Sequence, residues 1–156
     1  MNIPWRSILA AVSLASAPFA SAEHLAVLAD PRFESALREI AAPFAEHTGF
    51  DVRFSFASAE LPPGPPAPAV EVDLVFPASE SVMAQWVAAG LVDVALKRNI
   101  LLLPPDDPSD ENAEPRYASA AVLAQTAHRL PAMAFLEFIA SDDARAAFAR
   151  HGFGLP

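Results

Sequence analysis

Residues 116–156 read RYASAAVLAQTAHRLPAMAFLEFIASDDARAAFARHGFGLP, and they set the pattern for the whole chain. Tyr117–Leu123 is a short run suited to a strand. Leu130 then opens a helix with Pro131 in its first turn, where the missing donor costs nothing. Met133, Phe135, Leu136, Phe138 and Ile139 make that helix strongly apolar. Ser141 followed by Asp142 and Asp143 begins a second helical piece, because the hydroxyl caps free amides and the carboxylates oppose the helix dipole. Gly152 stops it. Strand, buried helix and capped helix in succession predict a layered α/β domain.

The same alternation runs back through the sequence. His24–Ala29 (HLAVLA) is an apolar strand, broken by Asp30-Pro31. From Phe33 the period becomes helical: Phe33, Leu37, Ile40, Ala41 and Phe44 share one face, and Thr48-Gly49 ends the helix. Pro43 is expected to bend that helix or restart its last turn. Asp51–Ala57 alternates Val52, Phe54 and Phe56 with polar residues, which is strand period. Val72–Phe76 and Ile100–Leu103 are two further strands. Ser79 caps a helix running to Ala89 that Gly90 closes. The expected architecture is therefore a single three-layer α/β lobe. Its sheet is mostly parallel and five-stranded, with one strand antiparallel.

Two segments punctuate this order. Leu61–Ala69 (LPPGPPAPA) cannot be helical, since interior prolines remove donors and clash with the preceding turn. Pro104–Pro115 (PPDDPSDENAEP) is an acidic, proline-rich connector. Ahead of the domain, residues 1–22 carry Arg6, the apolar run Ile8–Ala17 and Ala20-Ser21-Ala22, the signature of a cleaved export signal. The mature domain is then expected over 23–156, in the periplasm.

Composition excludes several functions. The chain has no cysteine, so no disulfide framework or zinc-thiolate site is available. Its net charge of -9 becomes one unit more negative when Arg6 leaves, which argues against nucleic acid as a partner. His24, His47, His128 and His151 lack metal-binding spacing, and no cofactor is expected. Asp106, Asp107, Asp110, Glu111 and Glu114 lack the glycine and the ligand order of a calcium loop. No nucleophile elbow, phosphate loop or dinucleotide motif occurs, so no enzyme is expected.

Five stretches, in order, resemble the periplasmic molybdate-binding proteins of ABC transporters, within the type II periplasmic solute-binding proteins. They are Ala29–Leu37 (ADPRFESAL), Val52–Ala59 (VRFSFASA), Val72–Leu91 (VDLVFPASESVMAQWVAAGL), Arg98–Pro104 (RNILLLP) and Ala134–Pro156. The resemblance implies substrate capture for an ABC importer, with molybdate or tungstate as ligand and a permease as partner. In that family two lobes close on the oxyanion, held by backbone N–H groups and hydroxyls at strand ends and helix N-termini. Here residues 104–116 stand where the family builds its second lobe, so the chain is expected to be shortened to about one lobe.

The resemblance places the oxyanion contacts at Arg32, Phe33, Ser58 and Ala59. Arg32 replaces a ligand serine of the family, and Ala59 falls at a second. A guanidinium can clamp an oxyanion, or it can be a solvated first-turn arginine. Ser58 can donate to the ligand or bond its own turn. The alternative function is a one-lobe periplasmic interaction module that no longer binds oxyanion. A monomer is expected unless a partner covers the face left by the missing lobe.

Overall fold

The computed structural model describes residues 24–57, 71–103, 114 and 116–156. The expected export signal, the proline-rich run and most of the acidic connector lie outside them. Strand β1 (His24–Ala29) leads through a 3-10 turn (Pro31–Phe33) into helix α1 (Glu34–Thr48). Strands β2 (Asp51–Phe56) and β3 (Leu74–Phe76) follow, then helix α2 (Glu80–Ala88). Strands β4 (Val92–Leu103) and β5 (Arg116–Leu123) precede helices α3 (Arg129–Ile139) and α4 (Asp142–Arg150).

The five strands form one sheet in the order β2-β1-β3-β5-β4. β1 pairs in parallel with β2 and β3, and β5 is antiparallel to both of its neighbours, β3 and β4. Four strands thus point one way and β5 runs against them, as the sequence predicts. Leu103 pairs with Arg116, so the connector joins two adjacent strands of one sheet.

Helices α1, α3 and α4 cover one face of the sheet and α2 covers part of the other. Alternation in β1 sends Leu25, Val27 and Ala29 into the larger core and leaves His24, Ala26 and Leu28 on the opposite face. The larger core is rich in phenylalanine. Phe33 stacks on Phe76 at 4.4 Å, Phe76 meets Phe148 edge-on, and Phe44 meets Phe135 edge-on at 5.0 Å. The smaller core is Trp86 and Met83 of α2 against Val75, Val92 and Ala121.

Local signals place most element ends. Ser79 and Ser141 accept from Val82 and Ala144 N–H, the expected N-caps. Gly49 takes the left-handed conformation, φ 76°, and its N–H bonds Ala45 O to close α1. Pro43 sits inside α1 without ending it.

Three boundaries differ from expectation. The first helix is preceded by a separate 3-10 turn, because the Asp30 side chain captures the Arg32 N–H. β3 begins at Leu74 rather than Val72, for at Asp73 a side chain replaces part of the backbone ladder. β4 starts at Val92, eight residues before the expected strand. Asp93, Lys97, Arg98 and Asn99 hide it from a hydrophobicity reading, yet an edge strand with register shifts accommodates such residues well.

Candidate functional site

The carboxyl ends of the three parallel strands meet at one end of the molecule. Two backbone bonds stitch them together: Ala57 N–H to Ala29 O (3.1 Å) and Asp30 N–H to Phe76 O (3.0 Å). The Asp30–Phe33 corner, the exit of β2 and the approach to α2 are therefore neighbours. In open α/β sheets this edge is where ligands are received.

Arg32 lies at this corner with its side chain half exposed, its Nε 3.3 Å from Asp30 Oδ1. Its two Nη groups have no partner among the described residues. Phe33 is fully buried, its ring between Phe76 and Phe153. Only its backbone N–H could meet a ligand, and that N–H donates to Asp30 O at 3.1 Å. The Arg32 N–H donates to Asp30 Oδ1 at 3.0 Å. The Glu34 N–H is also used, by Pro31 O. Ser58 and Ala59 lie outside the described residues, although Ala57 brings the chain to the corner.

Beside the corner, a cavity of about 300 Å³ is lined by Ser79, Glu80, Ser81, Leu103, Arg116 and Tyr117. It sits where β4 ends and β5 begins. Ser79 and Ser81 hydroxyls are 2.6 Å apart. Glu80 receives the hydroxyl of the buried Ser119 at 2.7 Å and is ion-paired with Lys97. This link joins α2, β4 and β5, and sequence reasoning did not find it. Ser79 itself is a helix cap, as expected.

A second polar cluster lies at the opposite end of the sheet. Asp73 is buried, and its carboxylate accepts from Ala26 N–H (2.9 Å), the Thr126 hydroxyl (2.5 Å) and His128 Nδ1 (3.1 Å). Its own N–H bonds Ala26 O. Every partner is a donor and the carboxylate is the shared acceptor, so the cluster ties β1, β3 and the β5–α3 turn together. The one signal in sequence was an acid within the apolar run VDLVF. A cavity of about 560 Å³ adjoins it, lined by Thr48, Phe50, His128, Leu130 and their neighbours. It lies far from the strand ends where the sheet receives ligands.

Two carboxylates near the surface are perturbed. Glu39 is held below the ordinary range by hydrogen bonds from Arg150 and His151, which also clasp α1 to α4. Asp93 is lowered by Arg129 and by the Ala95 N–H. No group of three or more His, Cys, Asp or Glu among the described residues is arranged to hold a metal ion.

The geometry fits what comparison with known proteins finds. A substrate-binding domain assigned to a molybdenum ABC transporter from Clostridium difficile superposes with TM-score 0.71 at 8% identity, covering 85% of this chain and 99% of that one. The periplasmic molybdate-binding protein of Azotobacter vinelandii gives TM-score 0.67 at 13% identity, with the same coverage. A ferric-binding protein from Bordetella gives 0.64 at 9% identity, covering 86% of each chain. At such identities these likenesses establish the fold alone. No curated protein matches the chain in sequence. A family model, however, matches residues 25–114 and 96–154, nearly all of the folded domain. The chain belongs to the bacterial extracellular solute-binding proteins.

Proposed function

We propose that the chain is an exported substrate-binding lobe of an ABC importer, of the molybdate and tungstate type, with weak affinity for its oxyanion. The observation that carries this reading is the convergence of the β1, β2 and β3 ends around the half-exposed Arg32. Guanidinium is a forked donor suited to tetrahedral oxyanions. The family membership supports substrate capture, and the ordered sequence resemblance favours an oxyanion over the ferric ion of the Bordetella neighbour. Residues 1–22 are removed on export and the domain works in the periplasm. Residues 104–116 take the place of a second lobe.

Weak binding follows from two features. One lobe presents one open face, so no closure sequesters the anion from water. The corner's amides are also committed inside the chain. Binding to the folded state raises the melting temperature in proportion to ligand excess over Kd. Thermal melts of the domain over 23–156 in millimolar molybdate or tungstate should therefore shift upward, with sodium chloride of matched ionic strength as control. The Arg32→Ala variant should lose the shift. A wild-type chain indifferent to all oxyanions would remove this reading.

The interaction-module alternative asks for an apolar patch at the ligand end. The exposed large apolar residues among those described are Val94, Leu130 and Leu155. Val94 and Leu130 lie at the start of β4 and of α3, the opposite end of the sheet, whereas Leu155 follows Phe153, which packs on Phe33 at the corner.

A further inference from the structure

We infer that Asp30 acts as an intramolecular competitor for the oxyanion seat, setting the corner's preference against dianions. The inference rests on the reading that this corner is the seat.

Its basis is an inventory of donors. A tetrahedral oxyanion without a counter-cation must be held by N–H and O–H groups aimed at it. The described backbone donors nearest Arg32 include the N–H groups of Asp30, Arg32, Phe33, Glu34 and Ala57. Each already has an acceptor within the chain. Asp30 dominates that pattern. Its Oδ1 receives both the Arg32 N–H (3.0 Å) and the Arg32 Nε–H (3.3 Å), and its carbonyl oxygen receives the Phe33 N–H (3.1 Å). One residue thus occupies the main-chain donors of both corner positions that the sequence assigns to the ligand, and the Nε–H of Arg32.

The occupant is itself an anion. Its side chain is mostly shielded, whereas that of Arg32 is half exposed. A carboxylate oxygen held by one main-chain amide and one guanidinium N–H has the donor set that one oxygen of a bound oxyanion would have. An incoming dianion can bond the Arg32 Nη groups, but it reaches the Nε–H and the main-chain N–H only by displacing this oxygen, and at either position it sits close to a fixed negative charge. A neutral or cationic solute does not meet that repulsion.

The test is titration of four chains spanning 23–156, by calorimetry and by thermal shift, with molybdate, tungstate and sulfate at constant ionic strength. The chains are wild type, Arg32→Ala, Asp30→Asn and Asp30→Asn/Arg32→Ala. Asparagine keeps an acceptor oxygen for the 3-10 turn, so the corner stays capped while the charge is removed. An Asp30→Ser variant repeats the test with a shorter cap, and circular dichroism confirms that each chain is folded. Asp30→Asn should bind at least one oxyanion about tenfold or more tightly than wild type. That scale follows from deleting one unit charge a few ångströms from a dianion in partly solvated surroundings. The double variant should lose the gain.

Equal affinity of wild type and Asp30→Asn, with the wild-type response still abolished by Arg32→Ala, overturns the competitor role and leaves the proposed function standing. A silent wild type with a responsive Asp30→Asn does the reverse: Asp30 blocks the seat so well that the native chain is not an oxyanion binder. Silence of every chain removes both.

Discussion

The two ends of the sheet each carry an aspartate that accepts a main-chain N–H, and they use it differently. Asp73 is 3% exposed and gathers donors from β1, from Thr126 and from His128, residues 47 to 55 positions away. Among the described residues the Asp30 carboxylate accepts only from Arg32, two positions on, whose side chain is 53% exposed. A buried carboxylate with long-range donors holds the fold, since an unmet donor in the interior is costly. A carboxylate on local donors at a wet rim contributes little to stability and much to the local field. The same residue type is thus structural at one end and, in the role proposed for Asp30, ligand-selective at the other.

The sharpest way to break this contrast is Phe33→Ala. Phe33 belongs to the rim in sequence and to the core in space, so its loss should cost about 3–5 kcal/mol, the range for a buried phenylalanine. A urea midpoint near that of wild type would show that the rim is not anchored in the core. Asp73→Ala comes next. It strands the Ala26 N–H, the Thr126 hydroxyl and the His128 ring together, for an expected loss of roughly 2–4 kcal/mol. For a domain of this size that is a fall in Tm of about 8–15 °C. Asp73→Asn should recover part of it, because one oxygen remains to accept.

Arg32→Ala is the counterpart at the other end. Its effect on stability should be within about 0.5 kcal/mol, as for exposed residues generally, while any oxyanion response disappears. A large loss of stability without change in binding would reverse the roles assigned to the two ends.

The smallest expected effect concerns pH. Glu39 and Asp93 are both depressed in the folded chain from ordinary values of 4.5 and 3.8. Their contribution is therefore present above those values and lost as pH falls through the folded-state values. Both carboxylates lie at the surface within reach of water and ions, so the effect is modest and fades in salt. Urea midpoints should decline between about pH 5 and pH 3, less steeply in Glu39→Gln or at high ionic strength. A midpoint unchanged over that range would show that the Glu39 clasp between α1 and α4 adds nothing.

Much of the architecture was legible along the chain. The period of Phe33, Leu37, Ile40 and Phe44, the caps Ser79 and Ser141, and the stop at Gly49 all survive in three dimensions. These signals concern residues within about one helical turn or a few strand positions, where geometry follows from chain connectivity. The extension of β4 back to Val92 was not legible. Its charged middle is tolerated only because it forms the sheet's edge, and edge position is a property of the assembled sheet. At the candidate site, the place of Arg32 was readable. The capture of its donors by Asp30 was within reach of a local reading, since an aspartate two residues ahead commonly binds such an amide.

By itself, the order of residues determined that this chain alternates strands and helices, where most of those elements start and stop, and which family it resembles. Tertiary structure alone decided that Asp73 meets His128, that Glu39 meets His151, that Glu80 meets Ser119, and that three strand ends converge on one rim. The division has a physical cause. Periodicity and capping act over a few bonds, whereas a hydrogen bond between residues dozens of positions apart exists only once packing has brought them within three ångströms.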